Sequence, residues 1–247
     1  MKKSLCYALL LFTLLASCGG KGTLSRLWLF TYTDGPFTPA DSVFSAVSFL
    51  QLRNDGTYTR DFGQFEYGTW EMDKEQLFLT NQNGKTNRLG YTIKGKDMRL
   101  TVAGRTATFE SKPLPDAKEN PFSQENNRWR IPASKKETDD EIRMRLRNHC
   151  LFWEMYFRWA LSSELTNLDV RMTPTLIKIY GNGFALKHVT ELPTEWKSYF
   201  YDEEDCRKAN EQMAYVFKNK NIAWANSDNR FKMFIGAFQQ LGSYFEK

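Results

Sequence analysis

The chain has little of what most enzyme active sites require. Its 247 residues include only two histidines, His149 and His188, and four cysteines. No stretch matches the G-x-S-x-G, H-E-x-x-H or phosphate-binding glycine-loop patterns. No spacing of histidine and cysteine is typical of a metal site. The sequence therefore lacks the common hydrolase, zinc-protease and nucleotide-binding signatures, and we expect no metal and no other cofactor.

The chain also lacks a strong charge of one sign. Its formal net charge is +5, and basic and acidic residues occur along both halves. Without a basic run or a strongly basic half, nucleic acid is not an expected partner. The aromatic fraction is 15%, which is high and favours folded cores over disorder.

Long hydrophobic runs are absent except at the start of the chain. Residues 5–15 are almost entirely apolar, but this run is too short to span a bilayer. Lys2 and Lys3 precede it, and the small residues Ala16 and Ser17 follow it. A basic start, a short apolar run and small residues before a cleavage point are typical of an export signal.

The end of this signal is more specific. Leu15-Ala16-Ser17-Cys18 resembles the lipobox of bacterial lipoproteins. This resemblance implies cleavage between Ser17 and Cys18 and acylation of Cys18, which would make the outer membrane a partner through a lipid anchor. The residues after Cys18 lack the acidic run that resembles a surface-export signal, so we expect the periplasmic face. The alternative is an ordinary secretory signal that happens to contain a cysteine.

Two cysteines remain for the folded chain. Cys150 and Cys206 both fall on the apolar faces of predicted helices. In an oxidising compartment they could form a disulfide. They could equally remain two buried free thiols, and the sequence does not choose between these alternatives.

Residues 26–112 alternate between short β-rich segments and turn signals. Asn54-Asp55-Gly56 predicts a hairpin, and Leu89, Tyr91 and Ile93 alternate on one face of a later segment. The segments number about eight and are joined by local turns. This pattern predicts an antiparallel meander, either closed into a barrel or folded as a sandwich.

The same region resembles the lipocalin-like domains of Bacteroidetes-type lipoproteins. The residues that carry the resemblance are Trp28, Gly56, Tyr58, Gly68 and Trp70. It implies a small up-and-down barrel in which these five are fold positions, and it transfers no ligand site. The many large inward-capable side chains predict a barrel that is mostly filled.

The second half is predicted to be mainly helical, so the fold class is α+β. Thr138 and Glu141 form a capping box that starts a helix ending near Leu165. Asp202 caps a second helix to about Lys218, and Ser227 or Asp228 caps the last. Asn182-Gly183 predicts a β-hairpin over residues 175–189. The predicted domains are a signal (1–17), a lipid-anchored tether (18–25), the barrel (26–112), a linker or wrapping segment (113–134) and the helical α+β domain (135–247).

Few residues suggest chemistry. His188, with Asp169 and Arg171 nearby in sequence, could line a polar pocket, although a solvated hairpin face explains them as well. The acidic run 202–205 could attract calcium, but it lacks the ligand spacing of a calcium loop and suits a helix N-terminus. His149 and Cys150 are adjacent, and neighbours on a helix point about 100° apart, which disfavours a nucleophile pair.

Two functional hypotheses follow. The first is a lipid-anchored, non-catalytic envelope lipoprotein that binds or scaffolds, its partner being an envelope protein or a small apolar ligand. The second is an envelope enzyme whose site lies in the helical half, with the barrel as an accessory.

Overall fold

The β-rich part of the sequence folds into a closed barrel. The computed structural model describes residues 19–34, 48–102, 104–163, 197–220 and 229–246. Each strand pairs antiparallel with its neighbours in the chain, and β1 closes the barrel against β8. The strands are β1 (Leu27–Thr33), β2 (Phe49–Leu52), β3 (Thr57–Asp61), β4 (Phe65–Asp73), β5 (Gln76–Asn81), β6 (Thr86–Lys94), β7 (Asp97–Val102) and β8 (Arg105–Lys112). The predicted antiparallel meander is confirmed, and the β1–β8 pairing makes it a barrel.

The Asn54-Asp55-Gly56 signal forms the turn between β2 and β3. Gly56 has a φ of 81°, which suits glycine because it lacks a Cβ. Asp55 Oδ1 accepts hydrogen bonds from Thr57 Oγ1 (2.6 Å) and from Thr57 N (2.8 Å). These hydrogen bonds favour the ionised form and lower the pKa of the Asp55 carboxyl. The turn thus holds the predicted hairpin in register.

Every strand contributes to a single barrel core. Core residues recur at every second position of a strand, because successive side chains point to opposite faces. The buried core consists of Leu24, Trp28, Leu50, Leu52, Tyr58, Trp70, Leu77, Leu79, Leu89, Met98, Leu100, Ala107 and Phe109.

Two tryptophan side chains of the barrel donate hydrogen bonds to backbone carbonyls outside the strands. Trp28 Nε1 donates a hydrogen bond to the Leu24 carbonyl oxygen at 3.0 Å. Leu24 ends the short helix α1 (Gly19–Leu24) and is buried, so the segment predicted as a tether packs on the core at its end. Trp70 Nε1 donates to the Arg53 carbonyl oxygen at 2.9 Å, and Trp70 N donates to the Gly56 carbonyl oxygen at 2.8 Å.

Gly68 lies where β4 passes very close to β5. A Cβ at this position would lie 2.0 Å from the carbonyl oxygen of Thr80. Only glycine fits there, because the neighbour is backbone and cannot rotate away. The structural role that the resemblance implied for Gly68 therefore has a steric cause.

The chain from Leu114 onwards belongs to a second compact unit, here called the helical unit. Its first part, predicted as a linker or a wrapping segment, contains two 3₁₀ helices, Ala117–Glu119 and Glu125–Arg130. The Phe122 ring is buried and lies 4.8 Å from the Trp159 ring and 5.7 Å from the Tyr156 ring, centroid to centroid. This segment therefore packs along the long helix that follows it.

That helix, α2 (Asp139–Ser162), begins as the sequence predicts. The Thr138 hydroxyl accepts a hydrogen bond from Glu141 N at 3.2 Å, and the Glu141 carboxylate accepts one from Thr138 N at 2.8 Å, which confirms the capping box. Farther along, Arg158 pairs with Glu154 at 2.9 Å, as their spacing of four residues predicts.

Helices α3 (Glu203–Asn219) and α4 (Arg230–Ser243) complete the described part of the helical unit. Asp202 caps α3, as predicted, by accepting a hydrogen bond from Asp205 N. The prediction that Ser227 or Asp228 caps α4 is wrong. Asn229 is the cap, because its side-chain oxygen reaches the amides of the first turn. Aromatic rings join α4 to α2, with the Phe234 and Phe157 rings stacked at 4.8 Å.

The β-hairpin predicted over residues 175–189 lies outside the described residues. Within the described residues, no helix combines the length and the apolar character needed to cross a membrane.

Candidate functional site

The barrel interior is the first place to look for a ligand site, and side chains fill it. Trp28, Tyr58, Trp70 and Phe109 are each at most 1% exposed. A side chain that lines a cavity keeps surface accessible on the cavity side, so these four line none. Among the described residues, these four rings thus leave no cavity beside them, in line with the expectation of a mostly filled barrel, whereas five residues packed against the same core are only partly buried: Phe30, Phe62, Met72, Tyr91 and Ile93.

One end of the barrel carries polar side chains. Arg60 on β3 lies directly opposite Glu66 on β4 and forms an ion pair with it. Arg60 also lies over the Phe62 ring, 5.1 Å from its centroid. The Tyr58 hydroxyl is buried and has no hydrogen-bond partner among the described residues, and burial raises its pKa to about 12. The ion pair between Arg60 and Glu66 therefore neutralises both of these charges within the barrel.

His149 and Cys150 lie in the core of the helical unit. The His149 ring is fully buried, 4.5 Å from the Trp129 ring, and burial together with nearby Arg130 lowers its pKa well below 6.5. Cys150 packs toward α4, 3.4 Å from where a Cβ on Gly242 would lie, and the His149 ring also lies near α4, 6.4 Å from the Phe238 ring. Burial raises the pKa of the thiol and lowers the pKa of the imidazole, which is the reverse of an activated nucleophile pair.

The disulfide considered between Cys150 and Cys206 is not formed in this structure. Both residues are buried free thiols, one on α2 and the other on α3. The Cys150 side chain contacts α4, where a Cβ on Gly242 would lie 3.4 Å from its Cβ. Burial raises the pKa of both thiols and makes them poor nucleophiles.

Several predicted site residues lie outside the described residues. Ser17 and Cys18 of the lipobox are among them, as are the three residues of the polar-pocket hypothesis, Asp169, Arg171 and His188. Their predictions stay predictions.

The acidic run 202–205 starts α3. Asp202 is the N-cap, Glu204 pairs with Lys136 at 2.5 Å, and Asp205 Oδ2 accepts a hydrogen bond from Glu137 N at 2.8 Å. These contacts explain the acidic residues as the N-terminal turn of α3. Among the residues the structure describes, no cluster of histidine, cysteine and acidic side chains could hold a metal ion.

A surface pocket between α2, α3 and α4 is the best candidate for a binding site. Its volume is about 470 Å³, within the range of pockets that hold small molecules. We call it the three-helix pocket. It is lined by Arg143, Glu211, Gln212, Tyr215, Val216, Lys220, Tyr244 and Phe245.

The apolar lining of the three-helix pocket is largely aromatic. Val216 and Phe245 are buried, whereas Tyr244 is half-exposed and Tyr215 is 61% exposed. So exposed a tyrosine beside a pocket offers a ring that a ligand can cover.

The charged lining is mostly basic. Lys220 Nζ lies 5.6 Å from the centroid of the Tyr244 ring and has no carboxylate partner among the described residues. Arg143 forms an ion pair with Asp140 at 3.3 Å. Glu211 is the sole acidic residue of the lining, and it pairs with Arg207 of its own helix. Gln212 Nε2 donates to the Asp139 carbonyl oxygen at 3.2 Å, which joins α3 to the start of α2.

Sequence reasoning did not find this pocket. Tyr215 follows the general pattern of α3, Lys220 is the first residue after that helix, and no motif distinguishes either of them. Their proximity to Tyr244 arises from the packing of distant helices.

The structural evidence therefore favours binding at a helical surface over binding inside the barrel. Comparison with protein-family models, with curated proteins and with solved structures finds no match to this chain.

Proposed function

We propose that this chain is a lipid-anchored bacterial outer-membrane lipoprotein that acts as a non-catalytic binding or scaffolding module. The observation that carries binding is the three-helix pocket, which combines aromatic walls, two basic side chains and a volume suited to a small molecule. The anchor rests on Cys18 and the lipobox-like residues before it, together with the basic and apolar start of the signal.

The detailed architecture belongs to the same proposal. We infer a lipocalin-like barrel at the N-terminal end of the mature chain, followed by a helical domain that includes the hairpin at 175–189. The barrel, filled and closed on itself, would then serve as a scaffold or a protein-contact surface between the lipid and the helical unit.

The anchor is tested with Cys18→Ser. In cells, the unaltered chain should sediment with membranes, whereas the variant should appear in the soluble fraction or accumulate as an uncleaved precursor. Ser17→Gly is the control, because glycine is also small at that position and should leave processing intact. A Cys18→Ser chain that is correctly cleaved and still membrane-bound would contradict the anchor.

The face of the membrane is a separate prediction. Because the residues after Cys18 lack an acidic run, protease added to intact cells should leave the protein whole. Digestion of the protein on intact cells, with a periplasmic marker preserved, would place it on the outer surface instead.

The rival proposal, an envelope enzyme with its site in the helical half, has less support. The described residues offer a buried, uncharged His149 and two buried thiols, none of which lies in the three-helix pocket. No specific observation favours catalysis.

A further inference from the structure

We propose that the three-helix pocket binds a small organic anion, such as a carboxylate, that carries an aromatic or aliphatic body. This inference deepens the proposed binding function and rests on it. It specifies the ligand's charge and shape from the residues that line the pocket.

The apolar body follows from the walls. Tyr215 and Tyr244 present rings, and Val216 and Phe245 are buried beneath the surface of the pocket. A flat apolar group placed there would cover the exposed Tyr215 ring and remove apolar surface from water, which favours binding. A volume of about 470 Å³ suits a ligand of the size of a substituted ring rather than a lipid with two chains.

The negative charge follows from the basic residues. Lys220 has no carboxylate partner among the described residues, so its ammonium can pair with an incoming anion without breaking an ion pair. Arg143 also lines the pocket and forms an ion pair with Asp140 at 3.3 Å. Glu211, the one acid in the lining, is engaged by Arg207. The cation that the described residues leave without a carboxylate is therefore Lys220, and the one carboxylate of the lining is already paired.

The C-terminal ends of α3 and α4 lie at the pocket, and helix C-termini repel anions when their carbonyls are free. Here several of those carbonyls are occupied. The Tyr215 carbonyl oxygen accepts from Asn219 Nδ2 and the Val216 carbonyl oxygen accepts from Lys220 N, both at 2.8 Å. In α4, Phe245 N donates to the Gly242 carbonyl oxygen at 3.0 Å. These hydrogen bonds lessen the repulsion that an anion would meet at the helix ends.

The test compares three probes of equal size and different charge: 3-phenylpropanoate, 3-phenyl-1-propanol and 3-phenylpropylamine. Binding to the purified full chain in a non-ionic detergent is titrated by saturation-transfer difference NMR, with detergent alone as the blank. We expect the anion to bind more tightly than the alcohol, and the alcohol more tightly than the amine. Added salt should reduce the difference in affinity between the anion and the alcohol, because salt screens exposed charges.

Matched variants locate the site. Lys220→Gln should weaken binding of the anion about fivefold, the effect of losing roughly one exposed charge pair, and leave the alcohol unchanged. Lys218→Gln lies in the last turn of α3 but outside the lining of the pocket. It should change the affinity for neither the anion nor the alcohol. Tyr215→Ala should weaken all three probes, whereas Tyr201→Ala, at a similarly exposed tyrosine outside the lining, should weaken none. Melting curves by circular dichroism show that each variant is folded.

The inference is overturned if the amine binds as tightly as the anion, if no probe binds up to solubility, or if Lys220→Gln and Lys218→Gln behave alike. Failure of the anchor would appear separately, in the fractionation of Cys18→Ser cells, because the probe titration does not depend on lipid.

Discussion

At the scale of single residues, the barrel depends on a glycine for steric reasons. We expect Gly68→Ala to lower the free energy of unfolding by about 1–3 kcal/mol or more, the usual cost of overpacking, because its Cβ would collide with the Thr80 backbone. Urea denaturation measures the change. Gly90→Ala is the matched control within the same barrel, since its Cβ would lie 3.8 Å from the nearest atoms of Thr101. Similar losses in both variants would show that the close approach of β4 and β5 is not the cause.

His149 makes stability depend on pH in a definite direction. Burial and Arg130 hold its folded-state pKa well below 6.5, so the unfolded chain binds a proton more readily. This contribution is fully present above pH 6.5 and is lost as the pH falls below that value, by up to about 1.4 kcal/mol per pH unit.

His149→Gln tests this linkage, because glutamine is neutral throughout. We expect the stability of the unaltered protein to fall faster than that of the variant between pH 6.5 and 5, as measured by denaturant titration at each pH. His188 is present in both proteins, so its contribution to the pH dependence of stability is the same in each and does not affect the comparison. Parallel pH profiles would mean that His149 is not a buried neutral imidazole.

At the scale of elements, Arg145 joins α2 to the segment that precedes it. Its guanidinium donates to the Glu137 carboxylate at 2.8 Å and to the carbonyl oxygens of Trp129 (2.6 Å) and Ile131 (2.9 Å). It also lies over the Phe200 ring, 5.5 Å from its centroid. Arg145 and Glu137 are only 10% and 11% exposed. A single side chain thus holds the Glu125–Arg130 turn against the helix.

We therefore expect Arg145→Met to destabilise the helical unit by about 3–5 kcal/mol, because it leaves a nearly buried carboxylate and two carbonyls without their donor. Urea denaturation followed by circular dichroism at 222 nm gives the value. Arg207→Met removes an exposed i,i+4 pair and should change stability by no more than about 0.5 kcal/mol. An equally mild Arg145→Met would show that the segment is held by Phe122 and Trp129 packing alone.

The elements themselves were largely predictable. Strand alternation, the Asn54-Asp55-Gly56 turn and the Thr138 capping box are local signals, and the structure bears them out. The start of α4 was missed because Ser227, Asp228 and Asn229 are all good caps, and local sequence does not choose among them.

At the scale of the whole molecule, a filled barrel predicts that no lipid stabilises the protein by binding inside the barrel. A phospholipid with two long chains should cause no saturable rise in the melting temperature of the full chain, because Trp28, Tyr58 and Trp70 leave no lining surface for it in the barrel and it is too large for the three-helix pocket. A ligand at a hundred times its dissociation constant would stabilise the protein by about 2.7 kcal/mol, which differential scanning fluorimetry detects easily. Such a rise would overturn the filled barrel.

The sequence by itself determined the order and type of most described elements, since periodicity, turn residues and helix caps act over a few neighbouring positions. The anchor at Cys18 stays a prediction, which depends on a short motif alone. Closure of the meander through β1 and β8, and the position of Cys150 beneath α4, were decided only by tertiary structure. The three-helix pocket is of the same kind. Arg143, Lys220 and Tyr244 come from helices far apart in the chain, and only their packing gives the charges and rings one shared surface.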